Sequence, residues 1–170
     1  MEHCLTTAQP SASAAKSHRR QAMSGRLLRA VRLLEEGGHT CVLCKDELVL
    51  TSGKRGVLPL IEWIEQGRNL KGFSAADKIV GRASALLFVL AGVREIYALV
   101  MSEGALSELE KHGIPAYYGS LVPAIINRQG TGICPMEQAV LGISDPAQAL
   151  AAVKRRQQEL RQAAGQEKQL

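Results

Sequence analysis

The chain has 170 residues, 46% hydrophobic and 22% charged, a composition that supports one globular domain with a buried core and excludes wholesale disorder. Four cysteines are too few for a disulfide scaffold, and no stretch reaches the roughly 18 apolar residues of a membrane span. The formal charge of +5 lies at the ends: residues 1–29 carry +4, residues 151–170 carry +3, and the body between them carries −2. A nucleic-acid binder needs a clustered basic face and stacking surface, and this body offers neither excess positive charge nor many aromatics. Nucleic acid is therefore not an expected partner.

Residues 1–22 are rich in Ser, Ala and Thr and lack the apolar run of a secretion signal, so they read as a disordered leader of a cytoplasmic protein. The domain itself is expected over 23–157, with 158–170 a polar helix end. Helical spacing begins near Ser24, with Leu27, Leu28, Val31 and Leu34 on one side and Gly37-Gly38 as the stop. Thr40–Cys44 and Leu48–Thr51 form a predicted hairpin about Lys45-Asp46-Glu47. Pro59 sits in the first turn of a helix reaching Gln66. A third strand is predicted over Phe73–Asp77, and an apolar helix over Ile79–Ala91 ends at Gly92. Glu95–Met101 reads as a central strand, Ser102 caps a helix to Lys111, and Ile114–Tyr118 is the fifth strand. A short helical piece is predicted over Leu121–Ile126, then a polar loop, a short helix from Pro135, and a last helix from Pro146. The alternation predicts a three-layer α/β/α domain on a mixed sheet of about five strands.

The order of elements resembles the cytidine deaminase-like fold, with Ala76-Asp77-Lys78-Ile79-Val80-Gly81 and Gly92-Val93-Arg94-Glu95-Ile96-Tyr97 carrying the likeness. The span from Leu27 to Lys154 also resembles a bacterial domain-of-unknown-function family of this fold. Three phrases carry that resemblance: Arg55-Gly56-Val57-x-Pro59-Leu60, Asp77-Lys78-x-Val80-Gly81, and Asn127-Arg128-x-Gly130-Thr131-Gly132-x-Cys134-Pro135-Met136-Glu137. A zinc deaminase needs His-x-Glu at one helix start and Pro-Cys-x-x-Cys at the next. Arg55-Gly56-Val57 and Asp77–Gly81 stand in those places, so every metal ligand and the proton-shuttling Glu are missing, and neither metal nor cofactor is expected.

The resemblance implies a ligand crevice beyond the carboxyl ends of the strands, a common binding place in open α/β sheets. Asp77 and Lys78 are expected at a helix start there, with Asp77 equally suited to cap the helix and Lys78 to contact an anion or act as a nucleophile. Arg55 and Gly56 open the neighbouring helix and suit a carboxylate or phosphate. Asn127, Arg128, Gly130 and Gly132 form a Gly-spaced loop with the shape of an anion cradle. Cys134 precedes Pro135 at a helix start, where thiolate is favoured, although no His stands near it as a base. Glu137 is placed to line the same opening or to reach back and cap its own helix. Cys41 and Cys44 form a CxxC on a strand, where residues three apart point to opposite faces, so they are read as structural. The expected function is binding of a small anionic or nucleotide-like molecule without metal. The alternatives are an enzyme acting on such a molecule through Lys78 or Cys134, and a non-catalytic scaffold that self-associates as a homo-oligomer.

Overall fold

The computed structural model describes residues 22–167. The leader predicted over 1–22 therefore falls almost wholly outside the described residues. Eleven elements follow in order: α1 (Gly25–Glu36), β1 (Cys41–Lys45), β2 (Leu48–Ser52), α2 (Leu58–Glu65), β3 (Ser74–Val80), α3 (Arg82–Ala91), β4 (Glu95–Ser102), α4 (Glu103–Lys111), β5 (Ala116–Val122), α5 (Pro135–Ala139) and α6 (Pro146–Glu167). The five-stranded sheet has the order β2-β1-β3-β4-β5; β1 is antiparallel to both neighbours, and β3, β4 and β5 are parallel. The three-layer α/β/α expectation with a mixed five-stranded sheet holds.

The two faces of the sheet are covered unequally. The larger core gathers Leu60 and Trp63 of α2, Leu86 and Phe88 of α3, Leu109 of α4 and Val153 of α6 against Leu43, Ala75 and Ile96 of the strands. The other face is covered by α1, whose Leu27, Ala30, Val31 and Leu34 pack on Val42, Cys44, Ala76 and Tyr97. Ser24 caps α1 by accepting from Leu27 N at 3.1 Å, and its own side chain donates to buried Glu95 at the start of β4. One cap thus fixes both the start of the helix and its position on the sheet. The CxxC thiols diverge as expected: Cys41 belongs to the larger core and Cys44 to the smaller.

Two predicted boundaries are corrected. The helix expected from Ile79 begins at Arg82, because the β-branched pair Ile79-Val80 continues β3 alongside Val100 and Met101. Asp77 and Lys78 consequently lie inside a strand, three or more residues before the helix. The helical piece expected over Leu121–Ile126 is absent: Leu121 and Val122 finish β5, and Ile126 makes an isolated bridge with Ile133. Pro123, which has no N–H to donate, follows the strand and fits its end there.

Candidate functional site

Asp77 occupies the larger-core face of β3, opposite Cys41 of β1 and beside Ala98 of β4, and is 6% exposed. Its Oδ1 accepts from Ile79 N at 3.0 Å and the Cys41 thiol also bonds it, while the nearby Lys78 N–H, which donates to Thr40 O, adds a weaker pull. Burial pushes the Asp77 carboxyl up to about 7, against the opposing pull of these three donors. Burial first, and then the Asp77 charge, drives the Cys41 thiol well above its usual range. The result is a carboxyl that changes charge near neutrality beside a thiol that stays protonated.

The same Asp77–Ile79 bond coincides with a defect in the sheet. Strand pairing skips Lys78–Leu99 and Leu99–Gly119, and Lys78 and Ile79 are both exposed instead of alternating. Ala98 and Met101, three residues apart, both serve the larger core, so the alternation slips by one across the strands. Taking the Ile79 N–H into an Asx-type turn is the local cause in β3. Gly119 completes the arrangement in β5, since a Cβ there would sit 2.7 Å from the carbonyl oxygen of Leu99.

A second carboxyl stands at the start of α3. Glu137 does not cap its own helix; its carboxylate accepts from Arg82 N at 2.8 Å and Ala83 N at 2.9 Å, closing the N-terminus of α3 from more than fifty residues away. The fit needs a glycine, because a Cβ on Gly81 would lie 2.4 Å from Glu137 Oε1. Arg82 extends the joint. Its guanidinium donates to Glu108 Oε1 at 3.0 and 3.1 Å and to the carbonyls of Val140 and Ile143, tying the segment after β5 to α3 and α4. Glu108 is 2% exposed. Its burial opposes ionisation, but the Arg82 and Lys111 hydrogen bonds prevail and hold its carboxyl below the usual range. Its second oxygen has no partner among the described residues.

The other expected residues are reached only in part by the bonds of the site: Thr40 joins the Arg55 and Lys78 segments, its hydroxyl donating to Lys54 O and its carbonyl accepting from Lys78 N. Arg55 and Gly56 are exposed before α2, whose N-terminal amides have no side-chain cap. Lys78 is exposed, and its N–H donates to Thr40 O at 3.0 Å. The 127–132 loop is a small closed turn: Gly130 N donates to Asn127 O and Thr131 N to Asn127 Oδ1, both at 3.0 Å. Two amides that an anion would use are therefore engaged within the loop. Arg128 is exposed, Gly132 accepts from Asn127 N, and half-buried Cys134 begins the five-residue α5. No hydrogen bond or ion pair among the described residues joins Arg55, Lys78 and this loop. A groove of about 820 Å³ runs between α2 and α6, bordered by Leu58, Ile61, Arg155 and Arg161, and none of the expected residues lines it.

The roles of Arg82 and Glu108 were missed in the sequence. Both carried a signal: Arg82 is a lone charge in an apolar helix, and Glu108 lies on the Ala105–Leu109 side that α4 buries. Among the described residues, no His, Cys, Asp and Glu cluster of three or more is arranged to hold a metal ion, and no helix is long and apolar enough to cross a membrane.

The crystal structure of a DUF1893 family protein from Thermotoga maritima is similar, with 27% identity and a TM-score of 0.72 over 79% of this chain and 92% of that one. The crystal structure of a diaminohydroxyphosphoribosylaminopyrimidine deaminase/5-amino-6-(5-phosphoribosylamino)uracil reductase from the same organism aligns at 14% identity and a TM-score of 0.37, over 75% of this chain and 42% of that one. No curated protein matches. Residues 29–156 match the family described as a domain of unknown function, DUF1893. The chain belongs to the DUF1893 family.

Proposed function

We propose that the chain binds a small anionic or nucleotide-like molecule, without metal, at the carboxyl ends of β3 and β4, where a deaminase-like relation would put the crevice. The observation that carries this reading is Asp77, buried midway along β3 with a carboxyl raised to about 7. Such a group donates when protonated and accepts when ionised, so near neutral pH it can match an amide-like base edge that presents both functions. The anionic part of the ligand is assigned to the exposed guanidinium of Arg55, since Leu58 N already donates to Arg55 O and Pro59 has no N–H to offer. The start of α3 is already filled by Glu137. Catalysis through Lys78 or Cys134 has less support, since neither has a base or an activating charge bonded to it among the described residues.

The test is thermal unfolding with cytidine and cytidine monophosphate at millimolar concentration, at pH 6 and pH 8. The midpoint is expected to rise in the wild type, to rise less in Arg55→Ala, and not to move in Asp77→Asn. No rise with either compound would overturn the reading. Intact mass after incubation is expected to be unchanged; an adduct would replace the reading with covalent chemistry at Lys78 or Cys134. Elemental analysis showing about one zinc per chain would remove its metal-free part.

A further inference from the structure

Among the described residues β5 is an edge strand, paired with β4 alone within the sheet. Every second residue of such a strand turns its N–H and C=O away from the sheet. Ala116, Ser120 and Val122 make no hydrogen bond outside the sheet among the described residues. Edges left in solvent are ordinarily blunted by lysines, prolines or brevity. β5 is seven residues long, reads AYYGSLV, and contains neither charge nor proline. Pro115 and Pro123 bracket it instead and end any further pairing at both sides.

From this edge we infer that β5 is the contact surface for a second copy of the chain, pairing antiparallel with its own counterpart about a two-fold axis near Gly119. The strand is self-complementary in that register: Tyr118 meets Ser120 of the other copy, Tyr117 meets Leu121, and Ala116 meets Val122, with no like charges opposed. The helix beside the edge fits the same symmetry. α4 packs against both β4 and β5, with Glu103 in its first turn and Lys111 in its last. A two-fold that inverts β5 inverts α4 too, bringing Glu103 of each copy toward Lys111 of the other. Leu99 and Leu121, 48% and 38% exposed, lie on the last two strands and gain cover. The product is one continuous ten-stranded sheet closed at two copies. A helical or charged partner would leave the outward N–H and C=O groups of β5 unpaired.

The experiment is sedimentation velocity on the full chain across about 1–100 µM, the range in which weak homodimers dissociate. The wild type is expected to be a concentration-dependent dimer. Ser120→Pro and Ser120→Lys leave the β4 pairing in place, and each is expected to raise the dissociation constant by about tenfold or more while circular dichroism stays unchanged. If the proline variant fails to fold, Ser120→Lys decides. Mixing Ser120→Lys with Ser120→Glu is expected to restore the dimer, because the two positions sit diagonally across the axis. A wild type that stays monomeric, lysine and glutamate variants that stay dimeric alone, or a mixture that does not reassociate would each overturn the inference.

Discussion

At the scale of single residues, Asp77 has given up water for the Ile79 N–H and the Cys41 thiol. With a folded value of about 7 against an unfolded one near 3.8, the folded state holds a proton that the unfolded state has lost at intermediate pH. Stability therefore falls as pH rises from about 4 to 7, and the Asp77 contribution is flat on either side, where both states carry the same charge. The cost above neutrality is at most about 4 kcal/mol, since each tenfold change in proton affinity is worth about 1.4 kcal/mol. Asp77→Asn keeps an oxygen for the Ile79 N–H and removes the titration. Urea unfolding at a series of pH values should show the variant overtaking the wild type as pH rises toward 8. Parallel curves for the two proteins would mean that Asp77 ionises normally.

Among the elements, the joint between α3 and the segment after β5 rests on two groups that cannot be altered independently. Gly81 has φ −93°, an ordinary value for any residue, so its requirement is steric: an added Cβ would displace the Glu137 carboxylate. Gly81→Ala and Glu137→Ala should each cost about 1–3 kcal/mol, the range for opening charge-assisted bonds to partly buried donors. The double variant should cost scarcely more than either single one, and denaturant unfolding of all three would show that coupling. Additive losses would mean that the two residues act separately. Apart from the piece expected over Leu121–Ile126, which is not helical, the helices were legible from periodicity, with Ser24, Ser102, Gly92 and Pro59 at the punctuation points that the structure uses. The end of β3 was not. Ile79-Val80 joins an apolar run that continues into the helix, and local pattern alone could not say where strand becomes helix.

Over the whole molecule, four long helices share one face of the sheet and α1 covers the other, so the two cores differ in depth. The hairpin, the crossovers and the order of elements followed from the sequence because short connections and right-handed crossovers leave few alternatives. The candidate site was less legible. Asp77 was singled out because the strand was expected to end there, whereas it lies midway along β3, and its burial comes from Cys41 and the helices packed over it, none of which adjoins it in the chain. Arg82–Glu108 and Glu137–α3 join residues 26 and 54–55 positions apart, a separation that no local pattern encodes. Arg55, Lys78 and the 127–132 loop were grouped by residue type and position relative to elements. The structure moved Lys78 from a helix start into β3 and closed the Asn127 turn on itself, neither of which residue type could show.

The borrowed cap on α3 also has a consequence in time. Its amides are shaped for an anion, yet the carboxylate that fills them lies 54–55 residues further along the chain, and closing so long a loop is expected to follow the pairing of the strands between. A step made late is absent from the folding barrier and must be undone early in unfolding. Glu137→Gln should therefore speed unfolding several-fold and leave the refolding rate nearly untouched in stopped-flow denaturant jumps. Equal slowing of refolding would instead place this closure inside the folding nucleus, and make the C-terminal third of the chain a partner in folding from the start.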